Sequence, residues 1–285
     1  MGNRLDEKLR NAECSLHAER VTGQLTRRGL LRTFFAAAGG YAALQLVPRS
    51  FAQDAASAGA ENVSTETVHF SSDDIQVEAY LAKPKTPGKH PAVLVVHENR
   101  GLNDSVRSIA RRFAAAGYVA LAPDLLSRVG GTAKMKTPEE AGEAIANLLS
   151  PYPISDLKAA FEYLTKDADV DAQKISTVGF DWGGWRSFTL TLGEPKLYRV
   201  VMFYGSVPDD SFGMVHAPVL AHYAKWDNRL TGNAMWIDEQ MKKARKKFVY
   251  YVYDADHGFF TEGSPRYNAD AAKLAWSRTL DFLAN

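Results

Sequence analysis

Three side chains in the last 105 residues are ordered as acyl- or alkyl-transfer chemistry needs them. Gly179-Phe180-Asp181-Trp182-Gly183-Gly184 follows an apolar strand pattern and opens a helical one, with small residues two before and two after Asp181. A sharp strand-to-helix turn of this kind lifts one side chain above a sheet as a nucleophile, and glycines let the neighbouring backbones pass close. Asp227 follows the strand pattern Pro218–Tyr223, and His257 follows the last strand pattern, within Tyr253-Asp254-Ala255-Asp256-His257-Gly258-Phe259-Phe260. Nucleophile, acid and histidine in that order is the arrangement of α/β-hydrolases. The spacings of 46 and 30 residues each leave room for one strand–helix unit. Alone, Asp227 reads equally well as a helix cap, and His257 reads more readily as a surface histidine; the ordered set decides for catalysis.

A carboxylate at the nucleophile position has its own chemistry. It is ionised at neutral pH and needs no base in order to attack. On an acyl carbon it would give a reactive anhydride, whereas on an sp3 carbon with a leaving group it gives a stable ester that activated water can cleave.

The elements that must position these groups alternate along the chain. Glu66–Phe70 and Ile75–Lys83 read as strands about the turn Ser71-Ser72-Asp73-Asp74. Pro91–His97 is a near-continuous apolar run, as expected of a strand buried on both faces. Helix Ser105–Ala116 is stopped by Gly117, and strand Tyr118–Ala122 is closed by Pro123-Asp124. Thr137-Pro138 starts a helix, with Thr as cap and Pro at the first position. Helix Ser155–Lys166, strand Lys174–Phe180, helix Trp182–Leu192 and strand Arg199–Tyr204 follow. Strand Pro218–Tyr223, a helix around Ala234–Lys247, strand Phe248–Tyr253 and helix Ala269–Leu283 complete the series. Such alternation predicts one α/β domain over 62–285, a doubly wound, mostly parallel sheet without a cap domain.

Composition narrows the function classes. The 285 residues are 46% hydrophobic and 24% charged, with formal charge +1, which gives no general basic field for nucleic acid. The run Lys242-Lys243-Ala244-Arg245-Lys246-Lys247 reads as a solvated helix end. The single cysteine, Cys14, excludes a disulfide framework and a cysteine-based zinc site. No spacing motif calls for a metal or another cofactor.

Residues 1–52 read as a twin-arginine signal peptide. Arg27-Arg28 precedes a weakly apolar Ala/Gly-rich run from Thr33 to Val47, and Ser50-Phe51-Ala52 offers a small-residue cleavage site. The run is shorter than the roughly 20 residues of a permanent membrane anchor. The expected partner is the twin-arginine export machinery, and the expected location is the periplasm. Removing 1–52 takes away eight Lys/Arg and four Asp/Glu, so the formal charge goes from +1 to −3, and Cys14 goes with them.

From about Glu66 to Leu283 the sequence resembles the dienelactone hydrolase family. The resemblance rests on His97-Glu98-Asn99-Arg100-Gly101-Leu102, on Ala122-Pro123-Asp124-Leu125-Leu126-Ser127-Arg128 and on the Asp181 turn. It also rests on Asp227, His257-Gly258-Phe259-Phe260, Arg266-Tyr267-Asn268 and Ala275-Trp276. It implies a hydrolase of small esters or lactones, with Asp181 as nucleophile, Asp227 as triad acid and His257 as base. It further implies Glu98 as a carboxylate near the nucleophile and Arg128 as a contact for a substrate carboxylate. The backbone N–H groups of Asn99 and Trp182 would form the oxyanion hole.

The sequence departs from the family in two places. The family has cysteine where this chain has Asp181, and the arginine that the type member carries just after the histidine is missing from Gly258-Phe259-Phe260-Thr261. Asp181-Trp182-Gly183-Gly184 is also similar to the corresponding turn of haloalkane dehalogenases, in which the indole N–H holds the departing halide and a residue placed like Asn99 supplies a second donor. Only about twenty residues separate Gly205 from Asp227, too few for the helical cap of those enzymes. Three readings follow: a hydrolase of esters, lactones or C–X bonds with an Asp/Asp/His site, a cap-less dehalogenase- or epoxide-hydrolase-like enzyme using Asp181 covalently, and a non-catalytic binding protein that keeps the fold.

Overall fold

A computed structural model describes residues 62–208 and 211–285. The twin-arginine segment and the cleavage site after Ala52 lie outside the described residues.

Eight strands form one sheet: β1 (Val63–Ser72), β2 (Ile75–Pro84), β3 (His90–Val96), β4 (Val119–Pro123), β5 (Val170–Phe180), β6 (Val200–Phe203), β7 (Val219–Ala224) and β8 (Phe248–Tyr253). Their order is β1-β2-β4-β3-β5-β6-β7-β8. β2 is antiparallel to both neighbours, and all pairs from β4 to β8 are parallel. The central strands are apolar on both faces because helices cover both, as a parallel sheet requires. Val93 to Val96, Val119 to Ala122 and Val200 to Phe203 are all buried.

Among the described residues seven α-helices accompany the strands: α1 (Asp104–Ala115), α2 (Pro138–Ala146), α3 (Pro151–Lys166), α4 (Trp182–Gly193), α5 (Asn228–Thr231), α6 (Ala234–Lys243) and α7 (Ala269–Ala284). α3 and α4 pack together over β5. α1 meets α7 through the tilted pair Phe113–Trp276, with ring centroids 4.6 Å apart. Asn103, Thr137 and Asn268 cap α1, α2 and α7 by accepting backbone N–H bonds from Val106, Glu140 and Ala271.

Two helix boundaries differ from expectation. α3 starts at Pro151 rather than Ser155, because Pro151 and Pro153 lie in a first turn whose N–H groups have no helical partner anyway. α6 ends at Lys243 rather than near Lys247. Arg245 turns left-handed at φ 56°, and the Lys246 N–H reaches back to the Met241 carbonyl.

Candidate active site

The catalytic candidates converge at the carboxyl ends of β3, β5, β7 and β8, where an open α/β sheet leaves a crevice. Asp181 stands alone between β5 and α4 at φ 50° and ψ −114°, a region that costs a non-glycine residue about 1–3 kcal/mol. The neighbouring ladder holds it there. The Asp181 N–H donates to the Phe203 carbonyl at 2.9 Å, and its own carbonyl accepts the Trp185 N–H at 3.2 Å. The flanking glycines are needed for contact: a Cβ on Gly179 would lie 2.1 Å from the Gly183 carbonyl oxygen, and one on Gly183 would lie 2.3 Å from that of His97. β3, β5 and α4 thus meet backbone to backbone at the turn.

His257 sits between two carboxylates. Its Nε2 lies 3.0 Å from Asp181 Oδ1, and its Nδ1 lies 2.6 Å from Asp227 Oδ2. Asp227 uses its backbone carbonyl, not its side chain, to start α5, which leaves the carboxylate for the histidine. Burial alone would depress the His257 pKa, but hydrogen bonds and charge from Asp181 and Asp227 outweigh it and leave the imidazole above its ordinary value. Burial likewise pushes Asp181 up. The His257 contact, the Trp182 N–H that donates to its carboxylate and the nearby charge of Arg229 bring it below the usual range. The imidazole is therefore held between two carboxylates that favour its protonated form.

Glu98 follows β3 and lines the same cavity as Asp181 and His257. Burial raises its pKa first; Arg100 opposes that and the Asp181 charge adds to it, with a net upward shift. Among the described residues its carboxyl makes no ion pair. Asn99 joins it in the wall, so the structure brings together Glu98, Asn99, Asp181 and His257, with Asp227 behind the histidine.

Two of the sequence-derived side chains go elsewhere. Arg128 does not reach the cavity. Its fork closes on the buried Asp156 through Nε at 3.1 Å and Nη2 at 2.8 Å, with Asp73 at 2.8 Å and the Tyr152 ring 4.2 Å away. That network ties the β1–β2 turn to α3, so Arg128 is a structural cation rather than a substrate contact. The Trp182 ring is likewise absent from the cavity wall. It stacks on His97 at 5.8 Å and packs with Leu126, Ala141 and Ile145.

Three other residues join the site with no role given to them by the sequence. Arg100 and Arg266 line the cavity and supply positive charge in place of Arg128 and the missing arginine after His257. Both stand inside the motifs that carry the family resemblance, three and nine residues from His97 and His257, and that proximity was the available signal. Tyr204 directly follows β6 at φ 39°; its buried ring lies 4.8 Å from the His257 ring.

His97 binds the loops together from below. It is fully buried; its Nδ1 donates to the Glu98 carbonyl at 2.7 Å, and its Nε2 accepts the Leu125 N–H at 3.1 Å. These partners fix one neutral tautomer, and burial keeps the pKa below its ordinary value. Asp124 ties the same loops by accepting from the Leu126 and Thr132 N–H groups and the Thr132 hydroxyl, while Thr132 accepts the Leu102 N–H. No group of three or more His, Cys, Asp or Glu among the described residues is arranged to hold a metal ion.

The cavity, of about 230 Å³ and open to solvent, is bounded on one side by Pro138, Glu139 and Gly142 from the start of α2. It fits a small polar molecule rather than an extended one.

Comparison with known proteins agrees with this architecture. A family model described as the dienelactone hydrolase family matches residues 77–285. A Synechocystis sp. protein named "Putative carboxymethylenebutenolidase" is 31% identical over 234 residues, covering 76% of this chain and 95% of that protein. A protein of the same name from Methylorubrum extorquens is 28% identical over 272 residues, covering 90% of this chain and 92% of its own. The crystal structure of a "Putative Dienelactone Hydrolase" from Klebsiella pneumoniae superposes with a TM-score of 0.73 at 26% identity, covering 78% of this chain and 99% of that one.

Proposed function

The chain belongs to the dienelactone hydrolase family and is a hydrolase of dienelactone or ester type, and from that premise we propose that it hydrolyses a small lactone or ester through a covalent ester on Asp181. The observation that carries this reading is the single line of contacts Asp181–His257–Asp227, at 3.0 and 2.6 Å, with the carboxylate on the strained turn. An aspartate there attacks the alkyl carbon of the C–O bond, where it forms a stable ester, and not the acyl carbon, where it would form an anhydride. The lactone leaves as a carboxylate in a cavity whose wall carries the cations Arg100 and Arg266.

Esterification removes the Asp181 charge that helped to hold the His257 proton. The imidazole gives up that proton to solvent and takes another from the water whose oxygen bonds to the Asp181 carbonyl carbon. It passes this proton to the alkoxide as the ester C–O bond breaks, and the Asp181 carboxylic acid then gives its own proton back to His257. The oxyanion formed there is stabilised by backbone N–H groups at the turn and at Asn99. The hydroxy acid departs with an Asp181 oxygen.

The halide reading has less support, because the Trp182 ring packs against His97 and α2 and is not among the residues that line the cavity. A binding-only role leaves the three-residue alignment without a purpose.

The test is a single turnover of (R)-β-butyrolactone in oxygen-18 water. Attack by Asp181 on the alkyl carbon gives inverted (S)-3-hydroxybutyrate and puts the heavy oxygen into Asp181. Retained configuration with the label in the product carboxylate would refute it.

A further inference from the structure

Glu98 has no task if Asp181 is the nucleophile, since a carboxylate needs no base to activate it. The geometry nonetheless sets it in the same small cavity as Asp181, with no cation within ion-pair distance among the described residues. Two carboxyls that share a cavity do not both ionise freely. Asp181 is the one whose charge is compensated, by the His257 Nε2 at 3.0 Å and the Trp182 N–H. Of the two, Glu98 is therefore the carboxyl that more readily keeps a proton, in agreement with the upward direction of its pKa. A carboxylic acid beside a carboxylate is a proton donor beside a nucleophile.

We propose that Glu98 and Asp181 act as an acid–nucleophile pair that opens small cyclic ethers, with oxirane carboxylates as the class that fits. The proposal rests on the covalent role of Asp181 given above and goes beyond it. A leaving carboxylate or halide needs no proton, but a leaving alkoxide does, and Glu98 supplies one. The carboxylate of the ligand is matched by Arg100 and Arg266 in the wall, and a three-membered ring with one carboxylate suits about 230 Å³.

The step balances without any other reactant. An Asp181 oxygen bonds to a ring carbon, the ring C–O bond breaks, and its electron pair goes to the oxygen, which takes the Glu98 proton. Glu98 is now ionised and Asp181 esterified. The imidazolium of His257 returns a proton to Glu98 and becomes the neutral base. Water gives His257 a proton as its oxygen bonds to the Asp181 carbonyl carbon. The ester C–O bond breaks, the departing alkoxide takes the proton from His257, and the Asp181 carboxylic acid gives its own proton back to His257. The sum is ether plus water to diol, with every group restored.

The experiment compares glycidate (oxirane-2-carboxylate) with β-butyrolactone, whose leaving carboxylate needs no acid. Wild type is expected to convert glycidate to glycerate and, in oxygen-18 water, to label Asp181. Glu98→Gln is isosteric and cannot give up a proton. It should slow glycidate about 100-fold or more and lower the ratio of glycidate rate to β-butyrolactone rate by about 30-fold or more.

The wild-type protein gives a second readout that needs no variant. The ratio of glycidate rate to lactone rate should fall as pH rises through the Glu98 titration. The groups around Glu98 are Arg100 on its own loop, Glu139 at the start of α2, Asp181, Tyr204, His257 and Arg266; those that titrate near neutrality act on both substrates and cancel in the ratio. A Glu98→Gln enzyme that opens glycidate at the wild-type rate overturns the proposal, as does a flat ratio. No glycidate turnover by a protein that inverts the β-lactone overturns it while the lactone reading stands. Absence of label in Asp181 with either substrate removes both.

Discussion

Replacing His97 by phenylalanine tests whether the floor of the site is held as the contacts imply. The ring area and its stacking on Trp182 survive, but both nitrogens are lost. The Leu125 N–H, donating to Nε2 at 3.1 Å in a residue with 0% exposure, is left without a partner. An orphaned buried donor costs about 1–3 kcal/mol. The Glu98 carbonyl loses its 2.7 Å bond but keeps the longer one from the Gly101 N–H at 3.3 Å, so this part costs about 1 kcal/mol. The sum is about 2–4 kcal/mol, which for a domain of this size lowers the melting temperature by roughly 4–16 °C.

The same substitution frees the peptide that leads into Asn99, so kcat on β-butyrolactone should fall about tenfold or more with the KM little changed. His97→Gln keeps an acceptor for the Leu125 N–H and should recover most of the stability. His97→Asn keeps a donor for the Glu98 carbonyl and should recover more of the rate than of the stability. Thermal unfolding by circular dichroism and steady-state kinetics on the three variants decide the matter. A His97→Phe protein within about 0.5 kcal/mol of wild type and equally active would refute the reasoning.

Three further outcomes follow from the geometry. Gly183→Ala puts a Cβ 2.3 Å from the His97 carbonyl oxygen and 2.5 Å from that of Val96, both backbone atoms, so it should cost at least about 1–3 kcal/mol and abolish turnover even where the protein folds. Arg128→Ala leaves Asp156 buried at 1% exposure without its partner; unfolding titration should show a loss of about 3–5 kcal/mol, while the KM for carboxylate-bearing substrates stays unchanged. Asp181→Asn should lower the His257 pKa in an NMR titration. His257 is raised above its unfolded value of 6.5, so its stabilising share is complete below that pH and is lost as pH rises through the folded value; Asp181 is lowered below 3.8, so its share is present above that pH. The stability gap between wild type and Asp181→Asn should therefore be greatest between pH 4 and 6.5 and should narrow at higher pH, and a constant gap would contradict the pairing.

The β-strands and the turn at Asp181 were legible because each is a local pattern: apolar runs such as Ala92–Val96, and glycines two residues either side of one polar residue. Asp227 and His257 were legible through order along the chain. Arg128 misled because its type matched a family role while its partner, Asp156, lies 28 residues away in a helix that gives no hint of a buried carboxylate. Arg100 and Arg266 went unassigned for the converse reason, since nothing local says that a half-turn after β3 and a loop before α7 face one cavity. The Trp182 ring could have gone to the cavity or to the floor; packing against His97 and α2 chose the floor.

The left-handed turn at Asp181 separates what holds the site from what reacts in it. Its φ of 50° is imposed by bonds from backbone to backbone and by the contacts of Gly179 and Gly183, none of which involves the Asp181 side chain. The strain is thus the same for a carboxylate, a thiol or a hydroxyl at this place, and the histidine opposite keeps its carboxylate partner in each case. One side chain can therefore be exchanged for another reaction class with no change in the scaffold, as in a tool holder that grips the shank and is indifferent to the bit. A carboxylate selects alkyl carbons and a thiol selects acyl carbons, so within this one frame the choice of bond to be broken in a lactone is a single-residue variable.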